Sequence, residues 1–385
     1  MSTFRGSPPG AARECLRAAP APYLSMMFPS SKPARTILRA RPGLSRISPS
    51  ESARGFLIAL LALACIAVPA GAINTCSNPI ASCPCAIVAP GVYTLASTGL
   101  IAAPPGNCIK VNVPGVTLDL GSATISSSPS SSADIGVWVK AGANNVTVTG
   151  TQGAPATITG FTTGIQIDAS SVTLANVIAQ TNSVGIRFNG AAAYGTGLVV
   201  HDSSRKGIVI NGPGAGSYLD GVSVDTTLGF SGIELNEVSG ALLNNVTVTT
   251  SATYGIWLRG SSRNTILNFN VSRNTNAGIY LGCFISGGLL GNACPPSSPP
   301  TPPSDANVLA SAGDPSSADG PTQPDQAYGI VVSTGCIRNR IIGVQATGNG
   351  NGSFGVDAFD GNPSCGQNLW SGNQFGVVNQ PACMH

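Results

Sequence analysis

Charge is scarce in this 385-residue chain: only 9% of residues are Asp, Glu, Lys or Arg. Aromatics make up 5%, and His201 and His385 are the only histidines. With so few imidazoles and no two C-x-x-C pairs, a zinc site is not expected. After residue 72 no stretch keeps a 3.6-residue apolar period, which argues against helical and leucine-rich repeats. The polar remainder is Gly, Ser, Thr and Asn, the residues of turns and short strands.

Nearly half of the basic residues sit at the start. Residues 56–72, FLIALLALACIAVPAGA, follow Arg54 and end Ala70-Gly71-Ala72. A basic segment, a short apolar run and an A-x-A ending read as a secretory signal peptide cleaved after Ala72. The run falls short of the roughly 20 apolar residues that a membrane span needs, so no span is expected in the mature chain. Residues 1–72 hold nine of the 19 basic residues and only Glu14 and Glu51 of the 16 acidic ones. The remainder is therefore acidic, and nucleic acid is not an expected partner. The predicted location is secreted, periplasmic or at the cell surface. In that compartment cysteines read as disulfides. Cys108 should find its partner among Cys76, Cys83 and Cys85, and Cys283 and Cys294 should staple the base of a surface loop.

A repeat organises everything that follows. Gly followed by Ile or Val recurs at Gly136, Gly164, Gly185, Gly207, Gly232, Gly255, Gly278, Gly329 and Gly355. The intervals cluster near 23 residues, with one doubled interval of 51. A fixed period of this size marks stacked repeats. Each unit carries short stretches alternating with a period of two, such as GIQID (164–168) and SVTLANV (171–177), which read as strands. Short strands and tight turns in a unit of about 23 residues describe one coil of an all-β parallel β-helix, with coils about 4.8 Å apart. Some 9–11 coils are expected. The predicted organisation is a leader (1–72), an N-terminal cap (73–107), the β-helix (108–282), a Pro/Ser-rich surface insertion (283–327) and final coils with a closing cap (328–385).

Three stretches carry a family resemblance: PGVYTL…CIKVNVPGVTLDLGSATI, the Gly-Ile repeats, and DGNPSCGQNLWSGNQF…C. On these the chain resembles the right-handed parallel β-helix repeat proteins of the pectin-lyase-like superfamily, over about residues 85–383. The closing stretch is similar to that of exported bacterial members. The resemblance implies a Cys365–Cys383 bridge, with Trp370 and Phe375 covering the open end. It implies no catalytic residue, because the Asp-Pro-His-Asp motif of alginate epimerases and the Asn-Thr-Asp and Gly-His-Gly motifs of polygalacturonases are missing.

In such a coil stack, residues at equal offsets from the repeat Gly form columns. The second residue after each Gly points outward and reads Trp138, Gln166, Arg187, Val209, Glu234, Trp257, Tyr280. Trp257 and Tyr280, on adjacent coils, would make an exposed flat surface on which a sugar ring stacks. The next outward column reads Lys140, Asp168, Asn189, Asn211, Asn236, Arg259, an expected amide ladder. A third reads Ala179, His201, Asp225, Thr249, Ser272 and places His201 beside Asp225.

The functional expectation is an extended polysaccharide or envelope glycan bound along the outer face, with Trp257, Tyr280, Arg187 and Arg259 as contacts. If the protein is also an enzyme, lyase, epimerase or hydrolase chemistry would draw on His201, Asp202, Asp225 or Glu234. The alternative is a non-catalytic envelope scaffold or adhesion protein. No cofactor is expected. Calcium would need a column of clustered acids, and the sequence has none.

Overall fold

The computed structural model describes residues 74–96, 99–102, 106–127, 134–212, 216–282, 306–310, 316–317, 326–350 and 355–384. The chain separates into residues 1–68 and 69–385, and every described residue falls in the second unit. The signal-peptide segment and the Cys283–Cys294 staple lie outside the described residues. What is described is strands and turns, with no helix.

Twelve parallel strands form one sheet, each pairing with the strand one coil earlier and one coil later. Its middle runs Ile135–Val139, Thr163–Ile167, Val184–Phe188, Lys206–Asn211, Ser231–Asn236, Tyr254–Arg259 and Ala277–Gly282. The strands that complete each coil stack in the same parallel manner, for example Thr173–Gln180 on Tyr194–His201 on Tyr218–Thr227. The alternation reads directly as burial. Ile165, Ile186, Ile208, Ile233, Ile256 and Ile279 are all fully buried, stacked one per coil.

The Gly column is a matter of space. A Cβ built on Gly255 would lie 2.6 Å from the Gly278 carbonyl oxygen and 2.7 Å from Asn274 Nδ2. At Gly164, Gly185, Gly207 and Gly232 the same collision recurs, each with the carbonyl oxygen of the next Gly in the column. The bare edge of each strand therefore lets the next coil sit at hydrogen-bonding distance. Gly355 does not belong to this column. Ile330 pairs with Ala358, so the position above Gly329 is Asp357, and Gly355 falls two residues early.

A second column bends each coil. Asn176, Gly197, Gly221, Asn245 and Asn268 are stacked in register and have φ between 50° and 60°. Gly and Asn are the residues that tolerate this left-handed region.

Two segments join the stack more closely than their composition suggests. Cys85–Ile87 already pairs with Ile109–Val111, inside the segment assigned to the N-terminal cap. Val308–Ala310, inside the predicted insertion, pairs with Thr265–Leu267 below and Arg340–Ile342 above. The doubled interval therefore contains a strand of a coil.

Cys83 is bridged to Cys108, Cys76 to Cys85, and Cys365 to Cys383. Near the C-terminus, Trp370 is buried and meets the Phe375 ring edge-on at 5.7 Å.

Side-chain amides form ladders through the stack, and each ends on a carboxylate. Inside, Asn264 donates to Asn307, Asn307 to Asn339, Asn339 to Asn368, and Asn368 to Asp360. A parallel interior run passes from Asn274 through Gln326 and Asn349 to Asp357. Each amide in the run both donates and accepts, so a buried chain of them needs only an acceptor at its end. An ionised carboxylate accepts without donating, which suits that end.

Candidate functional site

The outer face of the twelve-stranded sheet gathers most of what is chemically distinctive. Its middle column is Lys110, Trp138, Gln166, Arg187, Val209, Glu234, Trp257, Tyr280, Val331 and Phe359, each in register with the next. The column on one side includes Lys206, Ser231, Tyr254 and Ala277. The column on the other includes Asp168, Asn189, Asn211, Asn236 and Arg259.

Glu234 is the centre. Its side chain is 1% exposed, yet it faces outward, because its neighbours roof it over. Lys206 Nζ lies 2.6 Å from Glu234 Oε2, and Arg259 lies 3.7 Å from Oε1. Ser231 Oγ donates to Oε2 at 3.3 Å. Burying a carboxylate this far is costly unless it is paired and hydrogen-bonded, and Lys206, Arg259 and Ser231 supply those partners. Desolvation pulls the Arg259 pKa down, and Glu234 opposes that shift.

The aromatic part differs from the flat exposed strip expected of Trp257 and Tyr280. Both rings are half-buried, and they meet edge-on at 6.4 Å with a 69° angle between planes. The reason is Tyr254, a buried ring absent from the sequence reading. It stacks on Tyr280 at 4.6 Å and tilts against Trp257 at 5.3 Å. Burial raises the pKa of the Tyr254 phenol far above its ordinary value, with Tyr280 adding to the shift. Desolvation also raises Tyr280, partly offset by the hydrogen bond from Ser333 Oγ at 2.8 Å. Both rings therefore stay neutral at any physiological pH. Arg259 lies over the Trp257 ring at 5.3 Å.

Two donors in this face lack partners: the buried Trp257 Nε1 and Arg187 Nε. Nearly all buried polar atoms are satisfied in folded proteins, so these two donors are exceptions in this face.

A family model for the "Right handed beta helix region" matches residues 155–292. The chain is a right-handed parallel β-helix. Several solved structures are similar. The tailspike protein of E. coli bacteriophage HK620, in complex with a pentasaccharide, superposes with a TM-score of 0.51 at 10% identity, covering 75% of this chain and 58% of that one. The Dettilon tailspike protein gives 0.46 at 15% identity, covering 74% and 61%. Pectate lyase Pel9A gives 0.46 at 12%, covering 70% of each chain. The β-helix thus spans 61% and 58% of the two tailspikes' own lengths. No curated protein matches its sequence.

The β-helix separates the remaining candidates from this face. His201 pairs in register with Gln180 rather than Ala179, which points inward and is fully buried. The expected column was one residue out at that coil. His201 does stand beside Asp225 in register, but its Nδ1 contacts Asp202 Oδ2 at 2.9 Å. Asp225 Oδ1 instead accepts from Thr249 Oγ1 at 2.7 Å. These groups are well exposed and lie on the strands that complete the coil, away from Trp257. Among the described residues, no three His, Cys, Asp or Glu side chains converge as a metal site.

The predicted amide ladder is present. Asn236 donates to Asn211, Asn211 to Asn189, and Asn189 to Asp168, at 3.2, 2.9 and 2.6 Å. Lys206 and Tyr254 are the site residues that the sequence reading missed. Both lie three residues before a middle-column residue, an offset of opposite parity in a regular strand, so alternation alone gave no signal for them.

Proposed function

We propose that this β-helix binds an extended anionic glycan on the outer face of its twelve-stranded sheet. The observation that carries the reading is the cluster around Glu234. Trp257, Tyr254 and Tyr280 supply apolar ring surface, while Lys206, Arg259 and Arg187 supply cations and unmet donors. Charge supports the anionic preference. This face carries Lys110, Lys140, Arg187, Lys206 and Arg259 against the carboxylates Asp168 and Glu234, whereas acids outnumber bases over residues 73–385 as a whole. A related fold, the HK620 tailspike, is in complex with a pentasaccharide, which is consistent with a sugar ligand. The uniform Asn strip alone would suffice for a scaffold. The buried Glu234, held by two cations beside unpaired donors, supports the binding reading over the scaffold. The three disulfides among the described residues favour an extracytoplasmic setting.

The test is tryptophan fluorescence of the protein titrated with acidic and neutral polysaccharides, with absorbance at 235 nm followed for unsaturated lyase products. Saturable quenching by acidic chains is expected. Trp257→Ala should weaken binding at least about tenfold, the size of effect seen when an interface anchor is truncated. His201→Ala should leave the affinity unchanged. A flat response to every polysaccharide would leave the scaffold reading in its place.

A further inference from the structure

We propose a second anchor on the same face, centred on Trp138, so that the ligand is one chain long enough to bridge Trp138 and Trp257. The inference rests on the glycan-binding reading above and assigns residues to it that lie outside the Glu234 cluster.

Trp138 stands in the middle column, five register steps from Trp257 through Gln166, Arg187, Val209 and Glu234. At about 4.8 Å per step the two indoles are roughly 24 Å apart along the stack. Two ammonium groups converge on Trp138: Lys110 Nζ at 5.0 Å and Lys140 Nζ at 5.6 Å from the ring centroid. Ring electrons favour both positions, and among the described residues neither ammonium is ion-paired. The neighbouring carboxylate, Asp168, is committed elsewhere. Its oxygens accept from Trp138 Nε1 at 2.7 Å, from Gln166 Nε2 at 3.0 and 3.1 Å, and from Asn189 Nδ2 at 2.6 Å. Neither lysine forms an ion pair with it. The pair of ammoniums is therefore an anion clamp that a charged substituent on a sugar would complete.

The Asn189–Asn211–Asn236 ladder fixes the spacing between the two anchors. It starts on Asp168, the carboxylate that orients Trp138, and ends at Asn236, in register with Arg259 over Trp257. Between the anchors lies Arg187, with its unpartnered Nε. Two sites held at a fixed separation reward a ligand that reaches both, because the second contact becomes intramolecular. An extended glycan advances about one coil spacing per ring, so about six rings reach from one indole to the other.

The experiment is calorimetric titration of the full chain with size-fractionated linear oligouronates from two to ten rings. Neutral oligoglucans of the same lengths run alongside. Affinity should rise by about a hundredfold or more across the spanning length, a gain that linked sites supply. Lys110→Gln/Lys140→Gln should abolish that step and cut the shortest chains from two bound per protein to one. The variant touches only outward, half-exposed side chains, and its melting temperature checks that it folds. Trp138→Ala should act in the same direction. Binding that rises without a step, a step that survives the double variant, or an equal step with neutral chains would overturn the second anchor alone. No binding at any length would overturn the glycan reading together with it.

Discussion

Gly255→Ala is expected to destabilise the protein by about 3 kcal/mol, the upper range for overpacking a filled interior. The added methyl would crowd the interior Val271 Cγ1 and meet the Gly278 carbonyl oxygen at 2.6 Å. That oxygen belongs to the adjacent strand, so relief requires prising two coils apart and lengthening several ladder hydrogen bonds together. Gly142→Ala is the control. Gly142 has φ of 88° and open space around its Cα, so alanine there meets only backbone strain of about 1 kcal/mol. Denaturant midpoints of the two variants separate the causes. Equal losses would mean that coil contact is not what excludes a side chain from the Gly255 column.

Asp360→Ala should have a comparable effect, confined to the C-terminal coils. Asp360 is 5% exposed and accepts from the Asn362 backbone N–H, from Asn362 Nδ2, from Asn368 Nδ2 and from Trp370 Nε1. A buried donor left without an acceptor costs about 1–3 kcal/mol, and alanine strands several at once. Stacked repeats lose stability locally when neighbouring units decouple. Two transitions are therefore expected: an early one reported by Trp370 and a later one by Trp138 and Trp257. A single transition at an unchanged midpoint would show that the ladder contributes little. Asp360→Asn, which keeps one carbonyl oxygen, should fall between the two proteins.

The architecture was legible because its cause is periodic. A glycine forced by coil-to-coil contact returns every turn, and the Ile after it returns with it. The reading slipped where a different residue meets the same demand. At the last coil Asp357 occupies the position, and a nearby Gly355-Val356 imitates the motif. It slipped again at Ala179, because counting backward from Gly185 crosses bends of unequal length. The middle column was read correctly across seven coils, since nothing intervenes between each Gly and its second neighbour. The state of those side chains was not legible. Tyr254 tilts the Trp257–Tyr280 pair, and Glu234 is buried by cations from the coils on either side. Such effects depend on which rotamers neighbouring coils leave open, and no single coil's sequence records that.

The carboxylate-ended ladders bear on how this molecule can change length over evolution. A coil that contributes only an asparagine to a ladder is interchangeable with its neighbours, since it accepts from one side and donates to the other. Duplicating or deleting such a coil leaves every hydrogen bond in kind. A coil that contributes Asp168, Asp357 or Asp360 is a terminus and cannot be lost without orphaning the row behind it. Gains and losses of coils should therefore concentrate between these aspartates. Such changes would alter the length of the outer face while its two ends stay fixed.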